Sequence, residues 1–208
     1  MTRECPILFS AAMVRAILEG RKTQTRRIIK NPEFFGCLTG DCPHWDSGLC
    51  EDVMELECPY GRLGDGLWVR EEHYRFGHWR PVPGVKTKTG RQKWAFIPDT
   101  TEVLYETPET FRKGRHHKDP ETSAWHKRLA RFMPRSLCRI RLKITGIRAE
   151  KLQDIGEYDS QAEGVKVVAP DSFNARDEFR DLWEKINGKA SWAENPWVWV
   201  VTFEKMRP

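Results

Sequence analysis

The chain has 208 residues, 39% apolar side chains and a formal net charge of +5 at pH 7. This length corresponds to one large domain, or one domain with an insertion, and the apolar content excludes a disordered tail. The sequence contains neither an apolar run of the ~20 residues that a membrane helix needs nor a clear signal peptide, so we expect a cytoplasmic protein without a membrane partner.

The first predicted elements are a short strand at residues 7–9, a helix that ends at Gly20, and a second strand that follows a basic turn within residues 20–29. The helix is predicted from a stripe of apolar side chains with helical spacing: Met13, Ile17 and Leu18. Gly20 is a typical residue after the last helical turn because it adopts positive φ without strain.

Residues 31–66 are rich in Gly, Pro, Asp and Cys and show little periodicity, which predicts an irregular insertion over residues 31–61. Four of the six cysteines fall in this stretch: Cys37, Cys42, Cys50 and Cys58. In a reducing compartment such a cluster indicates a metal before disulfides. The four thiolates predict a structural zinc site, with His44 as a substitute ligand, and free thiols are the main alternative.

The segment GDGLWVRE at residues 64–71 predicts a turn into a strand. Residues 77–122 are polar and contain Pro and Gly, so we predict a second irregular insertion there, with only two short strand-like pieces at residues 94–97 and 103–105. Residues 136–150 alternate strictly between apolar and basic side chains, which predicts the clearest strand of the chain.

The remaining elements are a short helix from Gly156 to Glu163, a helix from Asp177 to Asn187, and a final strand over residues 197–204. Strands outnumber helices, and the helices are short. We therefore predict an α+β fold in a single domain over residues 1–208: a small, mostly antiparallel β-barrel with flanking short helices and the two insertions.

Four segments, taken in chain order, resemble a known family. They are Gly20-x-Lys22-x-x-Thr25-x-Arg27 after the first helix, GDGLWVRE, LQDIGEYDSQAEGV and the final WVWVVTFE. Together they resemble the ASCH domains, a branch of the PUA-like superfamily, and they are most similar to phage- and prophage-borne members. The resemblance covers residues 7–30, 62–76 and 134–205 and leaves both insertions outside it.

The resemblance implies a small PUA-like barrel with a cleft for nucleotides or RNA. Some bacterial members hydrolyse N4-acetylcytidine with a lysine, a threonine and a glutamate, which match Lys22, Thr25 and Glu163 in this sequence. Other members bind RNA, and one branch carries a nuclease interpretation. The compact acetylcytidine hydrolases are about half as long as this chain.

These three residue types fit amide hydrolysis. Thr25 supplies a hydroxyl that attacks the substrate or positions a water, Lys22 takes its proton, and Glu163 orients the lysine or passes a proton to the leaving nitrogen. Nearby arginines lower the pKa of a lysine: Arg21, Arg26 and Arg27. Lys22 and Thr25 converge only if residues 20–25 form a turn, since a regular strand would point them to opposite faces.

Five further residues are predicted to bind substrate: Arg26, Arg27, Glu71, Trp68 and Tyr74. The planar fork of Arg27 suits a carbonyl or phosphate oxygen, or alternatively an ion pair with a carboxylate such as Glu71. The rings of Trp68 and Tyr74 stack on a pyrimidine if they are not part of the core.

The sequence thus predicts hydrolysis of an N4-acylated cytosine nucleoside or nucleotide, without a catalytic cofactor. The alternatives are a module that binds RNA or single-stranded nucleic acid without turnover, and a ribonuclease. Three basic clusters, within residues 21–30, 112–118 and 127–143, fit a nucleotide or RNA partner but also fit solvated faces. Protein partners are not predicted.

Overall fold

The computed structural model describes residues 3–30, 58–113, 119–166 and 174–207. Two compact units contain these residues. The first unit is built from residues 1–7, 12–69 and 139–208, and the second from residues 8–11 and 70–138. This division was not predicted from the sequence.

The first unit is organised around a five-stranded sheet. In chain order its strands are β1 (Glu4–Leu8), β2 (Gln24–Ile28), β3 (Gly66–Arg70), β8 (Arg141–Lys151) and β9 (Trp197–Lys205). Their order across the sheet is β1-β3-β8-β9-β2. The pairs β3–β8, β8–β9 and β2–β9 are antiparallel, as the sequence analysis expected for most of the sheet.

The alternation predicted around residues 136–150 is confirmed in β8. Leu142 and Ile144 are buried, whereas Arg141 and Lys143 are exposed. β9 shows no such alternation: its residues Val198 to Val201 are all buried, so side chains on both faces of this strand are covered. A continuous apolar run is what a strand in the middle of a covered sheet requires.

Among the described residues, three α-helices accompany this sheet: α1 (Ala11–Leu18), α2 (Glu157–Ala162) and α3 (Ala175–Asn187). All three were predicted, and α2 and α3 end at glycines with positive φ, Gly164 and Gly188, as expected. The apolar stripe predicted for α1 is correct at Ile17 but wrong at Leu18. The buried side chains are Val14, Ala16 and Ile17, while Leu18 is exposed, because the helix turns a neighbouring face towards the core.

Helix α3 packs on the sheet through one apolar face. Phe179 and Trp183 of α3 join Val198 and Val200 of β9 in a buried cluster that also includes Leu152 and Ile155. Burial of such side chains stabilises a protein by about 1.5–3 kcal/mol each. The order of helices and strands along the chain that the sequence predicts for this unit, β-α-β, then β, then β-α-α-β, is confirmed in the described residues.

The second unit contains a four-stranded sheet. Its strands are β4 (His73–Lys86), β5 (Gln92–Leu104), β6 (Arg112–Lys113) and β7 (Ala124–Arg128), in the order β5-β4-β7-β6. β4 pairs antiparallel with both β5 and β7, and β6 pairs parallel with β7.

The prediction of an irregular insertion over residues 77–122 is wrong, because most of β4 and all of β5 lie within it. Apolar alternation did not reveal these strands, since most side chains from Arg80 to Thr101 are exposed or half-buried. Backbone hydrogen bonds between the two strands, rather than burial of one face, define this part of the sheet. The insertion predicted over 31–61 lies largely outside the described residues.

The described residues form an α+β protein, mostly strands in two sheets with a few short helices, as predicted at that level. None of the helices in the described part of the chain combines the length and apolarity needed to cross a membrane.

Gly164, which follows α2, allows the backbone around Lys22 to pack closely. Its φ is +86°, and a Cβ there would lie 2.8 Å from Cβ of Lys22 and 2.9 Å from Cβ of Ala16. Gly20 has a similar φ of +76° but has open space where a Cβ would stand. A side chain at either position would strain the backbone, but only at Gly164 would it also overlap neighbouring atoms.

We expect Gly164→Ala to lower the free energy of unfolding by about 2–4 kcal/mol, from left-handed strain and overpacking together. Gly20→Ala is the matched control and should lose only the strain component of about 1–2 kcal/mol. Urea unfolding measures both losses. Equal losses in the two variants would show that the close contact at Gly164 carries no stability.

Candidate functional site

A buried ion pair joins the turn after α1 to the end of α2. The backbone of Lys22 forms an antiparallel bridge with Glu163, and its N–H donates to the Ala16 carbonyl at 3.0 Å. The Lys22 Nζ donates to Glu163 Oε2 at 2.7 Å, to the Glu163 carbonyl at 2.8 Å and to the Gln24 carbonyl at 2.7 Å. Two segments 141 residues apart are thereby joined at one amine.

The Lys22 side chain is fully buried, and this controls its protonation. Burial lowers the pKa of Lys22 below its ordinary value, because a charge in the interior loses its hydration. The Glu163 carboxylate opposes this shift, while Arg27 and Arg26 add to it. The pair therefore contains a lysine that gives up its proton more readily than one at the surface.

Arg26 holds the second oxygen of the same carboxylate. Its fully buried guanidinium donates to Glu163 Oε1 at 3.2 Å, to Glu150 Oε1 at 2.6 and 2.9 Å, to Asp159 Oδ2 at 2.9 Å and to Gln24 Oε1 at 2.8 Å. Each oxygen of Glu163 thus has its own cation. The carboxylate is fixed in orientation as well as in position.

Next to this network lies a cavity of about 230 Å³. Its polar and charged lining consists of Thr25, Arg26, Arg27, Lys30, Tyr60, Glu163 and Asn187. Its apolar lining consists of Met13, Ile28, Phe179, Leu182, Trp183 and Ile186. One wall is therefore charged and the other is mostly an apolar face of α3.

The structure brings the three predicted catalytic residues into one neighbourhood. Lys22 contacts Glu163 directly, and Glu163 shares the cavity lining with Thr25. Lys22 lies behind the lining and bonds the carbonyl of Gln24, the residue before Thr25. The sequence analysis required a turn over residues 20–25, and this prediction is wrong: the turn ends at Gly20, Lys22 forms an extended bridge with Glu163, and Thr25 already belongs to β2. Lys22 and Thr25 are related through Glu163 and the cavity lining rather than through a local turn.

The predicted substrate-binding residues are distributed more widely. Arg26 and Arg27 line the cavity. Trp68 is half-buried on β3 and does not belong to the described lining. Glu71 and Tyr74 belong to the second unit, where the Tyr74 hydroxyl lies 3.0 Å from the Thr107 hydroxyl and its ring packs edge-on against Phe111.

The cysteine cluster is described only at one member. Cys37, Cys42 and Cys50 lie outside the described residues, and Cys58 is buried. Across residues 3–30, 58–113, 119–166 and 174–207, no three His, Cys, Asp or Glu side chains are grouped as metal ligands.

Sequence reasoning missed two groups of site residues. Glu150 and Asp159 complete the shell around Arg26, but neither stands in a motif, because their role depends on β8 and α2 meeting β2. The sequence analysis placed no site residue on α3, although one face of this helix lines the cavity. Phe179 and Trp183 contribute to both the core cluster and the lining, and Leu182 and Ile186, the latter 53% exposed, complete the open side.

Comparisons of this chain with protein-family models, with curated proteins and with solved structures found no match.

Glu163 is the residue on which the buried charges depend. We expect Glu163→Gln to destabilise the protein by about 3–5 kcal/mol, because it leaves Lys22 without its carboxylate and removes one from Arg26. Glu204→Gln is the matched control: this carboxylate is exposed and lies 3.9 Å from Lys143, so its loss should change stability by no more than about 0.5 kcal/mol. Chemical unfolding followed by circular dichroism measures both. A loss at Glu163 as small as at Glu204 would contradict the electrostatic role.

Proposed function

We propose that this protein hydrolyses the amide bond of an N4-acylated cytosine nucleoside or nucleotide, and that its first unit is a PUA-like domain of the ASCH type. The observation that carries the proposal is the Lys22–Glu163 contact of 2.7 Å beside a cavity that Thr25 and Glu163 both line. An amine of lowered pKa, a carboxylate and a hydroxyl are the groups that amide hydrolysis requires.

In the proposed reaction the Thr25 hydroxyl attacks the acyl carbonyl carbon and its proton passes to neutral Lys22. The C–N bond then breaks, and the proton moves from Lys22, or through Glu163, to the exocyclic nitrogen of cytosine. Water hydrolyses the resulting threonine ester and releases the carboxylic acid. In the alternative form, Thr25 positions a water that attacks directly, and no ester forms.

The cavity lining supports this substrate class. Its volume of about 230 Å³ lies below the roughly 300–1,000 Å³ of pockets for larger ligands and suits one nucleobase with a small acyl group. The face of α3 with Phe179 and Trp183 offers an apolar wall to a pyrimidine. Arg27 and Lys30 supply positive charge for a carbonyl or phosphate oxygen. Arg26, which is saturated by carboxylates, acts as a positioning residue for Glu163.

Purified protein should convert N4-acetylcytidine to cytidine and acetate. The change in ultraviolet absorbance measures this conversion. We expect Lys22→Met and Thr25→Ala to lower kcat by at least about 100-fold, the usual scale for loss of a general base or nucleophile. Thr23→Ala, an exposed threonine two residues from Thr25, is the matched control and should keep full activity.

The pH profile tests the role of the lysine. Because the neutral amine is the active form, kcat/KM should rise with pH and reach its plateau below the ordinary lysine pKa of 10.5. The proposal fails if there is no turnover, or if folded Lys22→Met and Thr25→Ala variants retain the activity and pH profile of the natural protein.

A binding module without turnover is the second candidate function. It is favoured by the three hydrogen bonds that already occupy the Lys22 ammonium, a pattern that also suits a purely structural ion pair. Under this alternative, cytidine or its N4-acetyl derivative would raise the melting temperature and stay chemically unchanged. No described observation favours the ribonuclease over these two.

We also propose a structural zinc bound by Cys37, Cys42, Cys50 and Cys58. The burial of Cys58 and the grouping of four cysteines within residues 37–58 support it. Elemental analysis should find one zinc per chain, and Cys58→Ser should lose most of it. Cys138→Ser, outside the cluster, should retain the metal. A natural protein with clearly less than one zinc per chain would contradict the site.

A further inference from the structure

The net positive charge of the chain comes from the second unit. Residues 70–138 hold 15 Lys and Arg against 8 Asp and Glu, a net charge of +7. The rest of the chain holds 20 Lys and Arg against 22 Asp and Glu, a net charge of −2. The overall value of +5 therefore conceals one strongly basic unit.

Six of the 15 Lys and Arg of this unit lie on a two-stranded ribbon. β7 pairs with β4 only from His73 to Gly77, whereas the pairing of β4 with β5 continues to Lys86 and Gln92. Beyond Gly77 the pairing between named strands in the described residues is that of β4 with β5, and the Trp79 N–H also donates to the Pro120 carbonyl at 2.9 Å. Residues 73–98 contain six Lys or Arg and no Asp or Glu, and five of the six are exposed: Arg80, Lys86, Lys88, Arg91 and Lys93.

An aromatic and basic groove lies where the ribbon leaves the sheet. It has a volume of about 390 Å³ and is lined by Trp79, Lys113, Lys127, Arg128, Leu129 and Phe132. Trp79 stands opposite Phe96 in the β4–β5 register, so the groove adjoins the first residues of the ribbon. Phe132 is 59% exposed, so a large apolar side chain borders the groove on its solvent side.

Cations border these rings closely. The Arg128 guanidinium lies 5.0 Å from the Trp79 ring centre and 4.6 Å from that of Phe96, and the Arg131 guanidinium lies 4.9 Å from the Phe132 ring centre. One groove lysine, Lys127, pairs with Glu72 at 2.7 Å, and the groove lining itself contains no carboxylate among the described residues.

One exposed aromatic side chain, Phe132, and two half-buried rings that contact Arg128 match, together with the neighbouring cations, the chemistry of one class of polymer. Phosphates neutralise a row of Lys and Arg, and unpaired bases stack on aromatic side chains and on arginine planes. A duplex hides its base faces, so the exposed ring of Phe132 favours a single strand.

We propose that the second unit binds single-stranded nucleic acid, with the backbone along the β4–β5 ribbon and a base stacked on Phe132 in the groove. This site lies outside the cavity of the first unit and does not depend on the amidohydrolase proposal. The segments that resemble the ASCH domains contain neither the ribbon beyond Phe76 nor Phe132.

The test uses the full chain with two fluorescein-labelled single strands, U12 and dT12, and a labelled hairpin duplex of matched length. Fluorescence anisotropy measures binding of each oligonucleotide over a series of salt concentrations. The ribbon variant replaces Lys86, Lys88, Arg91 and Lys93 by Ala. We expect its affinity at low salt to fall at least tenfold, and the slope of log K against log salt to shrink by about 2–3, since each phosphate contact on a single strand contributes about 0.7.

The matched control removes four exposed cations of the first unit, Lys185, Lys189, Lys205 and Arg207, and should change affinity less than threefold. Comparable losses in the ribbon and control variants would overturn the proposal, since attraction would then follow net charge alone. Tighter binding of the duplex than of U12 and dT12 would overturn it as well. The relative affinity of U12 and dT12 shows whether the site prefers RNA or DNA.

Phe132 tests stacking separately from charge. Phe132→Ala should weaken binding about tenfold with an unchanged salt slope, because the lost contact is not ionic, and Phe132→Tyr should restore affinity. Unchanged affinity in folded Phe132→Ala would remove the groove from the site. Lys22→Met should bind normally, and the ribbon variant should keep any N4-acetylcytidine turnover, so failure of either proposal is seen independently.

Discussion

The first unit depends on one buried interaction, the contact of two cations with the carboxylate of Glu163. Lys22 holds one oxygen of that carboxylate and Arg26 the other, so the turn after α1, the strand β2 and the end of α2 meet at a single group. Three charges in the interior are costly unless their hydrogen-bonding positions are used. Here Lys22 makes three hydrogen bonds and Arg26 contacts three carboxylates, and these bonds offset the cost of dehydration.

The same interaction determines the chemistry available beside it. A carboxylate held at both oxygens cannot rotate towards solvent, and it presents a fixed acceptor at the cavity wall. Burial makes the neutral form of Lys22 more accessible, which is a property of a general base rather than of a surface lysine. Gly164 contributes to this arrangement because the absence of a side chain there lets the end of α2 approach Lys22 closely. Stability and the proposed catalysis thus rest on one set of atoms.

The two units follow different physical rules. The first has strands whose side chains are buried, and its charges are concentrated in a network that neutralises them. The second has a net charge of +7 and contains a long hairpin that is held by backbone pairing and whose side chains are largely exposed. Burial creates a small enclosed site for a small molecule, whereas exposed cations and rings suit an extended polyanion. The two proposals therefore name different ligands: a small nucleoside or nucleotide for the cavity of the first unit, and a nucleic-acid strand for the exposed basic surface of the second.

The sequence alone determined the elements of the first unit, because burial of one face of β8 and of α3 leaves periodic apolar patterns, and because glycines mark the helix ends. It also indicated Lys22, Thr25 and Glu163, through a resemblance rather than through periodicity. It failed for β4 and β5, whose exposed side chains leave no pattern. Only the tertiary structure showed that Glu150 and Asp159 surround Arg26, and that part of the α3 face lines a cavity. These facts depend on which distant segments meet, and a contact between residues more than 100 positions apart leaves no local signal in the chain.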